Sequence, residues 1–188
     1  MPGWVSVSGR ERSGSRWSRP GHDCRGPTTN AHWALNHVND LAISLRKSGD
    51  HPGALETLES LVETLIRRQG PDDSATLWAR QSLAKTLGRA GEYRRAQEIL
   101  EPLLEAQQRM DGKEAEMTLS TVNTLGNVLS RLDQHEQAIE LLAGNVEARR
   151  RTLGPQHEGL VKSLIALASA YERSGDAGAA ADVRAQLP

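Results

Sequence analysis

No phenylalanine occurs among the 188 residues, and aromatic residues make up only 3% of the chain. A core must therefore come from Leu, Ala, Val and Ile. Leu and Ala are strong helix formers, and the aromatic and β-branched residues that favour strands are scarce, so composition points to an all-α protein. Cysteine is nearly absent. Cys24 alone closes no internal disulfide, which fits a reducing, cytoplasmic setting. No stretch approaches the roughly 18 apolar residues of a membrane span, and mean hydropathy is −0.54, so no membrane partner is expected. The first ten residues lack the apolar run of a secretory signal. An excess of one charge is also missing. A net charge of −1 and a pI near 6.6 exclude a globally basic nucleic-acid binder, and no nucleic-acid partner is expected.

Residues 1–29 differ from the rest. Arg10, Arg12, Arg16, Arg19 and Arg25 stand against Glu11 and Asp23, and Gly, Ser and Pro break any helical or strand period. Too little apolar surface is present to offset ordering entropy, so this segment reads as a disordered basic leader. Glu11 and Asp23 argue against an organelle-targeting peptide. Trp4 and Trp17 between arginines would suit single-stranded nucleic acid, and His22 with Cys24 is too small a set for a metal site. A flexible tail is the simplest reading.

From about residue 30 the chain repeats. Leu41, Leu83, Leu125 and Leu167 lie 42 residues apart, and Ala42, Ala84, Gly126 and Ala168 follow in register. The same holds for Leu45, Leu87, Leu129 and Tyr171, for Gly49, Gly91, Asp133 and Gly175, and for Ala54, Ala96, Ala138 and Ala180. Five columns in register over four copies define an internal repeat. Within a copy, leucines four residues apart share one helix face. The Gly column ends that helix. A second helix follows, with Ala near its start and Leu58, Leu100 or Leu142 four residues later. Helix A is predicted at about 31–47, 75–89, 117–131 and 159–173, and helix B at about 51–68, 93–110, 135–152 and 177–187. Asp73 and Ser74 are candidate N-caps. Gly70, Gly112 and Gly154 recur at the end of helix B, and Pro71 and Pro155 block continuation. Helix pairs of this kind bury their apolar faces only by stacking on neighbours.

These columns resemble the tetratricopeptide repeat. Its large apolar slot holds Val38, Arg80, Val122 and Leu164, its Leu-Gly/Ala slot matches in all four copies, and its Phe slot reads Leu58, Leu100, Leu142 and Arg184. The 42-residue period is similar to the long subclass found in kinesin light chains. Traces of that subclass's junction are Gly154-Pro155-Gln156-His157, Gly70-Pro71, Thr76-Leu77 and Thr118-Leu119. Val38-Asn39-Asp40-Leu41-Ala42 and Val122-Asn123-Thr124-Leu125-Gly126 are close to its helix-A motif. The resemblance implies a right-handed α-solenoid of four helix-turn-helix repeats at about 30–72, 73–114, 115–156 and 157–188. HEAT-type repeats have a similar length but leave the small-residue columns unexplained.

The resemblance also implies that helix A lines a concave groove, the family's usual ligand site. Four columns should face it: Asn39, Gln81, Asn123, Ile165; Ile43, Lys85, Asn127, Ser169; Asn36, Trp78, Ser120, Lys162; and Lys47, Arg89, Arg131, Arg173. Asn39, Gln81 and Asn123 offer donors and acceptors for an extended peptide backbone. The all-basic column suits an acidic or phosphorylated ligand, though cations in the last turn of helix A also answer the helix dipole. Trp78 could anchor a partner. The expected function is a non-catalytic module that binds a protein or peptide partner. The alternatives are a regulatory or sensory part of a bacterial-type Ser/Thr kinase or NTPase system, which the Ala-rich ending 180–188 resembles weakly, and a solenoid that self-assembles through its ends. No phosphate-binding loop, metal-ligand spacing or nucleophile–base pair is present, so no enzyme activity, cofactor or metal is expected.

Overall fold

The computed structural model describes residues 37–188 except 39, 46 and 155. The leader, Asn36 and Asn39 therefore lie outside the described residues. Residues 37, 38, 40–45 and 47 are helical and form α1. Seven further helices follow: α2 (His51–Gln69), α3 (Ser74–Ala90), α4 (Tyr93–Met110), α5 (Glu116–Arg131), α6 (His135–Thr152), α7 (Glu158–Ser174) and α8 (Ala177–Arg184). No strand occurs among the described residues. Each predicted helix is present, most of them with ends within one or two residues of expectation. The last stops at Arg184, earlier than the 187 read from sequence.

Local chemistry accounts for the boundaries. Asp50, Asp73 and Asp176 cap α2, α3 and α8, their carboxylates accepting from the backbone N–H of Gly53, Ala75 and Ala179. The turns between helices of a pair need a left-handed residue. Gly49, Gly91 and Gly175 supply it with φ near 87°, and Asp133 supplies it in the third copy with φ 61°. Asp tolerates that region better than most residues because its short polar side chain can bond locally.

Helices pack in chain order, each on the next. In addition the backbones of α3 and α5 and of α5 and α7 approach closely, whereas those of α2, α4, α6 and α8 do not approach one another; α2 and α4 meet through the exposed Arg95–Glu59 ion pair. The odd-numbered helices thus form an inner row and the even-numbered ones an outer row, the two layers of an α-solenoid. The core lies between them. Leu58, Leu100 and Leu142 are fully enclosed, as are Ala54, Ala96 and Ala138. The small-residue column lets the rows approach: a Cβ added to Gly126 would sit 2.5 Å from Cγ of Leu142.

One buried charge joins the two helices of the third repeat and abuts the fourth. The Arg149 side chain on α6 is only 3% exposed. Its guanidinium donates to both oxygens of Glu116, at 2.8 and 3.0 Å, and its Nε donates to Oδ1 of Asn145 at 3.3 Å. Asn145 in turn donates to the carbonyl of Leu119 at 3.0 Å. A Cβ on Gly159, at the start of α7, would come within 2.1 Å of Nη1 of Arg149, so α7 begins directly against this group.

Candidate ligand groove

The inner row carries two adjoining depressions. The first, of about 220 Å³, lies between α1 and α3 and is lined by Ala42, Ile43, Leu58, Trp78, Gln81, Ser82, Lys85 and Thr86. Trp78 is half-buried there, its ring forming part of an apolar wall. The second, of about 710 Å³, spans α3, α5 and α7. Four cations line it: Lys85 and Arg89 from α3, Arg131 from α5 and Lys162 from α7. Ser120, Asn123, Thr124 and Asn127 complete its polar wall with Tyr93 at one edge, and no carboxylate among the described residues lines it.

Each cation has a distinct setting. Lys85 Nζ donates to Oγ of Ser120 at 3.2 Å. The Arg131 guanidinium lies 5.9 Å from the centroid of the Tyr93 ring, a separation at which the ring's negative face attracts it. Lys162 Nζ lies 2.6 Å from Oε1 of Glu158, one turn earlier on α7. That contact holds the Glu158 carboxyl below its ordinary range, first by hydrogen bonding and then by charge. Arg89 is exposed and has no ion pair among the described residues. Arg89, Arg131 and Arg173 also sit in the last turns of their helices, where cations favour the helix dipole.

Among the sequence candidates, the larger depression brings together Lys85, Arg89, Asn123, Asn127 and Arg131. Lys47 and Arg173 are exposed and line neither depression. The amide column is used differently from expectation. Gln81 is 4% exposed, and its Nε2 donates to Oγ1 of Thr121 at 2.7 Å and to the carbonyl of Met117 at 3.3 Å. That nitrogen joins the second repeat to the third. Asn127 Nδ2 donates to the carbonyl of Asn123 at 2.8 Å. Oδ1 of Asn123 is buried and has no protein partner, which leaves an acceptor at the groove wall. Tyr93 was not among the sequence candidates. Its signal was its place in the repeat slot otherwise held by His51, His135 and Ala177. Lys162 was visible only as a member of a groove-facing column.

Residues 31–109 and 116–183 match the family model described as tetratricopeptide repeat. The chain belongs to the tetratricopeptide repeat family. Solved structures agree on the subclass. The chain is similar, with a TM-score of 0.75 and 25% identity over 82% of its length and 73% of the other chain, to the kinesin light chain nearly identical TPR-like repeats of Podosopora anserina. It shares its fold with BtubC (BKLC) from P. vanneervenii, with a TM-score of 0.68 and 19% identity over 82% of this chain and 65% of that one. No curated protein sequence matches significantly. These tetratricopeptide repeats make the chain a protein–protein interaction module of a scaffold family that is generally non-catalytic. No helix among the described residues is long and apolar enough to cross a membrane.

Proposed function

We propose that the inner-row groove binds an extended acidic segment of a partner protein. The carrying observation is the larger depression, where four cations from three successive inner helices meet and no carboxylate among the described residues lines the wall. The four cations come from three helices and share one depression, so an acidic side chain of the segment is attracted into it. Asn123 Oδ1 is enclosed and without a partner; rotation of this amide in the wall would offer it to a backbone N–H of such a segment. The adjoining depression around Trp78 and Ile43 shares Lys85 with the basic one. An apolar side chain near the acidic ones would fill it, and aromatic walls of this kind often carry much of an interface's energy.

The test is binding of an acidic peptide and its Gln/Asn counterpart to the full chain across a salt series. The acidic peptide binds more tightly, its affinity falls as salt rises, and Arg89→Glu with Arg131→Glu abolishes the difference. Equal affinities for the two peptides would remove this reading.

A further inference from the structure

We propose that the basic depression selects a phosphorylated residue, a phosphoserine or phosphothreonine of the bound segment, over a carboxylate. The inference rests on the groove reading above and sharpens its ligand.

The first argument is charge. Lys85, Arg89, Arg131 and Lys162 line one cavity of about 710 Å³, and no carboxylate among the described residues lines it. One glutamate brings a single charge and two oxygens, a geometry that suits one guanidinium fork. A phosphate monoester brings a charge of about −1.5 to −2 at pH 7 and three strong acceptor oxygens. It can therefore accept from more than one of these cations, where a carboxylate carries less charge and fewer acceptor oxygens.

The second argument is preorganisation. The Tyr93 ring 5.9 Å from the Arg131 guanidinium favours one placement of that side chain, lowering the entropy lost when it takes up a ligand. Ser120 Oγ accepts from Lys85 at 3.2 Å, so its own hydroxyl proton remains to be donated to a ligand oxygen. The cluster thus presents ammonium, guanidinium and hydroxyl donors toward one volume.

The third argument supplies an internal control. Among the described residues, neither a histidine nor a carboxylate lines the wall. Glu158, which holds Lys162, is kept ionised by that lysine and titrates below its usual range. A change in affinity near pH 6 would therefore come from the ligand's second phosphate ionisation.

The experiment is an NMR titration of the full chain, reading backbone amides and arginine Nε–H groups. The probes are the capped tripeptides acetyl-Ala-phosphoserine-Ala-amide, acetyl-Ala-Glu-Ala-amide and acetyl-Ala-Ser-Ala-amide, with inorganic phosphate as a fourth. The phosphopeptide is expected to bind at least about tenfold more tightly than the Glu peptide, the gain from one added charge-assisted hydrogen bond. It should shift the Arg89 and Arg131 side-chain signals, and its affinity should rise from pH 5 to pH 7.5 while that of the Glu peptide stays flat. Arg89→Gln with Arg131→Gln should bring the two peptides to equal affinity. Equal binding of phosphopeptide and Glu peptide overturns this inference and leaves the acidic-groove reading standing. Failure of both to exceed the Ser peptide overturns both. Binding of inorganic phosphate as tight as the phosphopeptide, or phosphopeptide binding unchanged in the double variant, overturns the assignment of a phosphorylated segment to this cavity.

Discussion

Gly126 and Gly144 lie in neighbouring helices and carry the same intrinsic penalty, yet their surroundings differ. A Cβ on Gly144 meets nothing within 4 Å, whereas one on Gly126 would strike Leu142 at 2.5 Å. Replacing an unstrained helical glycine by alanine gains about 0.5–1 kcal/mol. Gly144→Ala should therefore stabilise by about that amount in urea denaturation. Gly126→Ala gains the same propensity but forces the enclosed Leu142 to move, and overpacking costs about 1–3 kcal/mol. It should come out net destabilising, by about 1 kcal/mol. Equal signs for the two variants would show that helix propensity, not the close approach of the rows, governs both sites. Lys162 offers a residue-scale test of binding. Glu158 competes with any anionic ligand for its ammonium. The carboxyl titrates below its usual range, so it is ionised at neutral pH, and the competition fades only as pH falls below that of an ordinary carboxyl group. Glu158→Gln should tighten binding of an acidic peptide at pH 7 roughly twofold, the scale of an exposed ion pair. Unchanged affinity by calorimetry would mean that Lys162 takes no part.

At the scale of elements, the turn chemistry was the most legible part of the sequence. The 42-residue columns located helix starts and stops because Gly or Asp must take the left-handed turn position and Ala must sit where the rows approach. The short α8 was less legible, since its Ala-rich end has no stop signal in its sequence. The groove was legible in phase but not in burial. Gln81 and Asn123 share a slot, yet Gln81 is enclosed by Met117 and Thr121 of the next inner helix, whereas Asn123 keeps an unpartnered acceptor. That difference depends on which side chains the next repeat presents, and a column read within one repeat does not contain it. The Arg149 cluster was invisible for the same reason: Leu65 and Gln107 hold its slot in earlier copies. Glu116 is 65% exposed, while its partner Arg149 is 3% exposed. Glu116→Gln removes the countercharge and one of the two acceptor oxygens facing a buried guanidinium. The loss should be about 2 kcal/mol, below that of a fully buried pair because water reaches the carboxylate side. Denaturant midpoints of Glu116→Gln and wild type measure it.

At the scale of the whole molecule, contacts reach no farther than the next repeat. Stability is then a sum of repeat and nearest-neighbour terms, and α8 packs on α7. The terminal α8 has eight residues and buries only Ala180 and Val183. Amide hydrogen exchange should show greatest protection in α4, α5 and α6 and least in α8, reflecting sub-global opening from the end. Uniform protection along the chain would instead indicate one all-or-none unit.

The one-sided seam has a mechanical consequence. Inner helices approach backbone to backbone across repeats, whereas outer helices meet through exposed side chains such as Arg95 and Glu59, so the outer row can spread or close by parting surface pairs while the inner contacts hold. The array then behaves as a leaf spring hinged along the floor of its own groove. A ligand bridging α3, α5 and α7 clamps the hinge itself, so occupancy of the groove would be felt as stiffness along the full length of the stack.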